Sequence, residues 1–183
     1  LGLKSDTFVA HFLGSGFTAE TVKMHEDADK LRQVLQALES WPEITIVSVP
    51  LPPASGGKGL LNALADKLAV FASLVQSAGR VLAIEPMPGN LAGKSSDISE
   101  FLRRDELMNI GINYDTGHFH AAGESQEHVQ EELGNRFVCT HLCDNDGITN
   151  LSLPPGDGTV SWKAVTGGLD RIGYRGSWDI EIR

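Results

Sequence analysis

Apolar positions along this chain fall into two alternating patterns. Short runs, "TFVAHF" (7–12), "ITIVSV" (44–49), "RVLAIE" (80–85), "GINYD" (111–115), "RFVCTHL" (136–142) and "SWDIEI" (177–182), have the length and β-branching of strands. Helical periodicity separates them. Met24, Ala28, Leu31, Leu35 and Leu38 share one face of a helix within 21–39, and Leu61, Leu64, Leu68, Phe71 and Val75 do the same before Gly79. Asp97 followed by Glu100 reads as a capping box opening a helix through about Leu107. A polar helix follows at about 125–133, ending at Gly134-Asn135, and "SWKAVTGGLDRI" gives a short last one.

Six strands alternating with helices specify βαβ units and a parallel sheet. No G-x-G-x-x-G turn follows the first strand, so a dinucleotide-binding sheet is unsupported. An eight-stranded barrel is the better candidate, and a complete one runs to ~250 residues. Two further βα units of ~30 residues and a helix of ~15 would bring these 183 residues to that length. The expected fold is therefore α/β, a (β/α)8 TIM barrel truncated to about six βα units, lacking the first two units and the last helix. It is read as a single partial domain over 1–183. The start at Leu1 and the end at "SWDIEIR" agree with cut ends.

Composition narrows the function classes. Hydrophobic content of 41% with 21% charged residues is that of a globular chain. A net charge of −9 argues against a nucleic-acid surface. No apolar run approaches the ~20 residues of a membrane span, and no signal-peptide pattern opens the chain. Cys139 and Cys143 are too few for a disulfide scaffold and read as incidental thiols of a reduced, cytoplasmic protein. "SGGKG" (55–59) lacks Walker spacing and reads as a flexible turn, and the glycines of "PPGDGT" (154–159) shape a loop.

The chemistry lies at the strand ends. The C-terminal ends of barrel strands face the active site. Glu85 ends one run, Asp115 another, His141 lies near the end of a third, and Glu181 lies in the last. Period-two alternation puts Glu85 with Ala83, Asp115 with Asn113, His141 with Cys139 and Glu181 with Asp179, on a small or polar face. Ile84, Tyr114, Leu142 and Ile180 occupy the opposite faces. Buried charges need partners, and no lysine or arginine sits on these ends. Three carboxylates and an imidazole make an oxygen-rich shell for one divalent metal ion. It suits Mn²⁺, Mg²⁺ or Co²⁺ best, and Zn²⁺ after them. His120 could support that shell, Asp144 and Asp146 could line the barrel mouth, and His25 and His128 face solvent.

"IEPMPGN", "YDTGHFHAAG", "THLCDNDG", "LPPGDGTVSW" and "GYRGSWDIEI", in that order, resemble the xylose isomerase-like TIM-barrel superfamily, and within it the sugar isomerase and epimerase branch. That resemblance implies metal ligation by Glu85, Asp115, His141 and Glu181, and a substrate contact from His118. It makes Glu85 and Glu181 the catalytic proton carriers of a metal-dependent isomerase or epimerase. The substrate would be a keto sugar or related small carbonyl compound, reacting through a metal-stabilised ene-diolate. A DNA-repair endonuclease branch shares "DTGHFHAAG", and His11 matches one of its ligand positions. His11 is here assigned to the substrate pocket. That branch needs further ligands where this chain has Asn150 and Ser152, and a histidine where it has "SVPLPP". An inactive barrel that only binds ligand is a third reading. Exposed strand edges of a partial barrel leave homo-oligomerisation open.

Overall fold

Five of the expected strands pair in chain order, all in parallel: β1 (Thr7–Val9), β2 (Ile46–Pro50), β3 (Val81–Glu85), β4 (Gly111–Asp115) and β5 (Phe137–His141). The computed structural model describes residues 5–11, 21–52, 58–90 and 92–183. Phe12 of the first expected strand and "SGGKG" up to residue 57 lie outside the described residues. The helices are α1 (Thr21–Ala37), α2 (Lys58–Ser77), α3 (Ser95–Phe101), α4 (Thr116–Ala121), α5 (Gln126–Leu133) and α6 (Trp162–Arg171).

The two faces of the sheet differ as the alternation requires. Val47, Val49, Leu82, Ile84, Ile112 and Tyr114 join Leu31, Leu35, Leu64, Leu68, Phe71, Leu133 and Leu169 of the helices in one buried cluster. Each such side chain contributes about 1.5–3 kcal/mol when fully buried. Ile46, Ala83 and Cys139 form a small separate cluster on the other face, where Ser48 meets Asn113. Most apolar burial therefore lies between sheet and helices, and the inner face holds a small apolar cluster beside polar groups.

The sixth expected strand is reduced to one parallel bridge, Leu142 to Ile180. Leu142 N donates to Asp179 O (2.7 Å) and Glu181 N to Leu142 O (3.2 Å). Next to these, Thr140 Oγ1 accepts from Asp179 N (3.2 Å) and donates to Ser177 O (3.0 Å), so a side chain replaces the backbone rungs. Ser177 Oγ also donates to Asp6 Oδ1 (2.8 Å), joining the start of β1 to this last segment. The sheet is thus a curled half-barrel whose two ends touch.

A bulge sets the face of β5. Ile112 pairs with Phe137 but Asn113 with Cys139, leaving Val138 without a partner. Phe137 turns outward and stacks on Tyr114 (centroids 4.4 Å apart, 6° between planes), while Cys139 and His141 stay inward. Such a stack adds about 0.5–1.5 kcal/mol to area burial. Gly111 makes room for it, because a Cβ there would lie 2.5 Å from Val138 Cγ2.

Three further expectations change. The capping box at Asp97 and Glu100 is not formed: α3 begins at Ser95, and its cap is the distant Glu124 carboxylate, accepting from Ser95 N (2.9 Å) and Oγ (2.6 Å). The helix stops at Phe101, and a separate 3₁₀ turn spans Asp105–Leu107. Residues Gly59–Ser77 of α2 are long and apolar enough to cross a membrane, contrary to the reading of the runs. Leu64, Leu68, Phe71 and Val75 of that helix are buried, it packs on β3 and α1, and its Lys67 pairs with buried Asp27. These contacts pack one face of α2 against the sheet and α1.

Candidate metal centre

Each of the four strand-end residues is delivered by a backbone feature already described. Glu85 and Asp115 are the last residues of β3 and β4, Asp115 is paired with His141 across the β4–β5 ladder, and Glu181 is placed by the bridge at Ile180. Their ligand atoms all lie within 4.8 Å of one another. Glu85, Asp115 and His141 are buried and Glu181 is half-buried. His141 Nδ1–H donates to Glu181 Oε2 (2.9 Å) and Glu85 Oε1 (3.1 Å).

Asp115 divides its two oxygens between tasks. Oδ1 caps α4 by accepting from His118 N (2.8 Å), and it also accepts from the Cys143 thiol (3.4 Å). Oδ2 makes no hydrogen bond, and neither does Glu85 Oε2, although both are buried. Gly117 permits the crowding, since a Cβ there would lie 2.6 Å from Cys143 Sγ. Neither lysine nor arginine pairs with these carboxylates among the described residues; the only ion-pair partners are His118 and His141.

Electrostatics follow from this crowding. Burial, reinforced by the Glu85 charge, raises the Asp115 carboxyl above its ordinary value. Burial alone would lower His141, but hydrogen bonds to Glu181 and Glu85 outweigh it and hold the imidazolium up to about 10. The His141 hydrogen bond in turn lowers Glu181 despite its burial. Two buried carboxylate oxygens without a hydrogen bond, three carboxylates and one imidazole fit a divalent cation. The group can hold one.

His118 and His120 have different fates. His118 Nδ1 lies 3.1 Å from Pro86 O, 3.3 Å from Asp115 Oδ2 and 3.6 Å from Glu85 Oε1, so it borders the group. His120 turns away and bonds Thr159 Oγ1 (2.8 Å), beside an open cleft it lines with Glu124 and Ser161. His11 is exposed past β1 and adds no ligand atom to the group.

Asp144 does more than line a mouth. Its buried carboxylate accepts from Asn145 N (2.8 Å), Gly156 N (2.8 Å), Val160 N (2.9 Å) and Trp162 Nε1 (2.8 Å), and so folds the loop after His141. Gly158 fits against it because a Cβ would lie 2.3 Å from Asp144 Oδ1. Asp146 is exposed and only closes a turn to Ile148 and Thr149. Burial alone would raise the Asp144 carboxyl, but the four donors hold it at about 2. A depressed acid stabilises the fold above its ordinary value near 4, and that contribution disappears as pH falls through about 2. Asp144→Asn is expected to cost on the order of 1–3 kcal/mol at pH 7, the scale of a charge-assisted hydrogen bond. Urea denaturation from pH 7 to 2 checks it: the gap to wild type should close below about pH 4.

Asn113 and Cys143 were not singled out as site residues by the sequence. Alternation could have pointed to Asn113, which shares Asp115's face; nothing local marks Cys143.

A sequence profile of xylose isomerase-like TIM barrels matches residues 10–183. The chain belongs to this family. Among sequence relatives, the uncharacterized protein MJ1311 of Methanocaldococcus jannaschii is 27% identical over 153 residues, covering 79% of this chain and 52% of that protein. This xylose isomerase-like chain thus spans about half the length of that curated relative. Its fold is similar to that of a D-tagatose 3-epimerase-like protein (TM-score 0.79, 21% identity, 96% of this chain and 69% of the other). It is similar too to the 3-keto-D-glucoside 4-epimerase YcjR of E. coli (TM-score 0.77, 20% identity, 100% and 73%). At these identities the likeness speaks for the barrel fold.

Cation uptake should be proton-linked. With His141 held up to about 10, its nitrogen carries a proton throughout the neutral range, and that proton must leave before the nitrogen can ligate. Calorimetry at pH 7.5 in buffers of different ionisation enthalpy should show about one proton released per cation, with affinity rising about tenfold per pH unit from 7 to 9. No proton release would contradict a protonated His141 that gives up its proton to ligate.

Proposed function

We propose that this chain is the metal-binding, proton-moving portion of a sugar epimerase or isomerase. The observation that carries the reading is the convergence of four ligand atoms within 4.8 Å, two of their carboxylates having buried oxygens without a hydrogen bond. Glu85, Asp115, His141 and Glu181 would hold the ion. A divalent cation there supplies positive charge to a carbonyl and its neighbouring hydroxyl, which acidifies the adjacent C–H.

Glu85 and Glu181 then serve as the proton acceptor and donor on either side of the substrate carbon. Burial keeps water from Glu85, while half-exposed Glu181 exchanges its proton with solvent more readily. His118 positions the substrate: its Nδ1 lies on Pro86 O, and its other ring nitrogen makes no hydrogen bond among the described residues. Proton removal and return at C3 is epimerisation, and transfer between C1 and C2 is isomerisation. The similarity to structures named for D-tagatose 3-epimerase and 3-keto-D-glucoside 4-epimerase supports epimerisation of a keto sugar. The nuclease reading is weaker, because only one metal-capable group converges among the described residues.

The test is exchange in D₂O. The chain, loaded with Mn²⁺ and incubated with a panel of ketohexoses, should replace a C–H beside the carbonyl with deuterium, followed after chelation by proton NMR. Cation binding without exchange in any ketose would overturn the proposed chemistry.

A further inference from the structure

His141 presents its two ring nitrogens to different neighbours. Nδ1 faces Glu85 and Glu181, at the point where the ligand atoms converge. Nε2 faces away from it and lies 3.2 Å from the carboxamide of Asn113, on the neighbouring strand. Asn113 is fully buried, and the same end of its amide lies 3.1 Å from Ser48 Oγ on β2. Ala83 of β3, the strand between, brings only a methyl group to the inner face and leaves this line of contacts open.

We propose that Asn113 is a positioning residue for the metal site, accepting a hydrogen bond from His141 Nε2–H through its amide oxygen. This rests on the metal reading above. A neutral imidazole has one proton, and ligation through Nδ1 puts it on Nε2. Nε2–H then requires an acceptor, and the Asn113 carboxamide is the group within reach. Its oxygen and nitrogen exchange places by a half turn, and which of them faces His141 is decided by the hydrogen-bond network. In either orientation one end of the amide meets both His141 and Ser48 and the other end is buried without a partner, so the half turn does not change the count of unpaired atoms. The Nε2 proton is what distinguishes the two orientations. With the oxygen turned to His141, the Ser48 hydroxyl also donates to it, and ring rotation and tautomer are both fixed. Partners of this kind outside the ligand set are worth roughly 10–100-fold in metal affinity.

Zn²⁺ alone, added to the full chain, is the probe. In the Zn²⁺-loaded wild type, ¹⁵N-edited NMR of the imidazoles should show His141 protonated at Nε2 and metal-shifted at Nδ1. Asn113→Leu, close in volume but unable to accept, should lose about 10–100-fold in Zn²⁺ affinity. Asn113→Asp keeps an acceptor and cannot donate, so its affinity should match or exceed wild type. A proton on Nδ1 instead, an Asn113→Asp loss as large as that of Asn113→Leu, or full affinity in Asn113→Leu would overturn the proposal while leaving the metal site standing. Should Asn113→Leu not fold, the wild-type spectrum and Asn113→Asp decide alone. A wild type that takes up no Zn²⁺ overturns the metal reading and this proposal together.

Discussion

Glu85→Gln is expected to lose deuterium exchange into a ketose by about 10²–10⁴-fold, the range carried by a positioned acid or base. The same variant should still take up a cation. Glutamine retains an oxygen at Oε1 and nearly the same volume, so the buried end of β3 repacks little. What it lacks is a basic oxygen able to accept a proton from carbon. The two readouts therefore separate: a calorimetric titration reports the ligand role, and NMR exchange reports the proton-carrying role. Unchanged exchange in Glu85→Gln would transfer the base role elsewhere, with half-buried Glu181 the first candidate. Loss of both readouts together would leave the proton-carrying role of Glu85 unsupported.

The second large effect has opposite signs with and without the ion. Asp115→Asn should lose more than the roughly 100-fold in cation affinity that changes outside the ligand set can cost. Yet the metal-free variant should be more stable than the metal-free wild type. Asn still accepts from His118 N as a helix cap, so α4 is kept. The charge that burial and Glu85 oppose is removed. Because the folded carboxyl is raised, its ionised form destabilises the fold. That cost is absent well below the ordinary value near 4 and grows as pH rises beyond it. At pH 7–8 the metal-free variant should melt a few degrees higher, each 1 kcal/mol being worth about 2–4 °C at this size. The advantage should vanish as pH falls toward 4. With cation at a hundred times its dissociation constant, wild type gains about 2.7 kcal/mol and the order reverses. A metal-free variant that melts lower would contradict the destabilising charge on Asp115, and an equal gain from cation in both proteins would remove it from the ligand set.

Much of this arrangement was legible in the sequence because two periodicities coincide with its physical causes. Ala83 with Glu85, Asn113 with Asp115 and Cys139 with His141 share a face at spacing two, and the structure puts all of them on the inner face. Ile84 and Tyr114 lie opposite and bury against helices. The misses come from contacts distant in sequence. Glu124 caps α3 from 29 residues away, so the local Asp97 and Glu100 pair was misleading. Thr140 replaces rungs of the last strand through its hydroxyl, which no apolar pattern records. The bulge at Val138 puts Phe137 outward, against simple alternation with Cys139. Helix α4 is six residues long, too short for an amphipathic stripe, and its cap is the aspartate whose other oxygen faces the proposed metal. His120 and His118 are two apart on that short helix, and only His118 reaches the group.

The central claim is that Glu85, Asp115, His141 and Glu181 form one cation site. It is tested most directly by calorimetric titration of Mn²⁺ into the chain, with Asp115→Ala run alongside. The account predicts a single site with a dissociation constant of about 1 μM or tighter, a binding free energy near −8 kcal/mol, abolished in the variant. No saturable binding to the wild type, or binding that Asp115→Ala leaves unchanged, would contradict it.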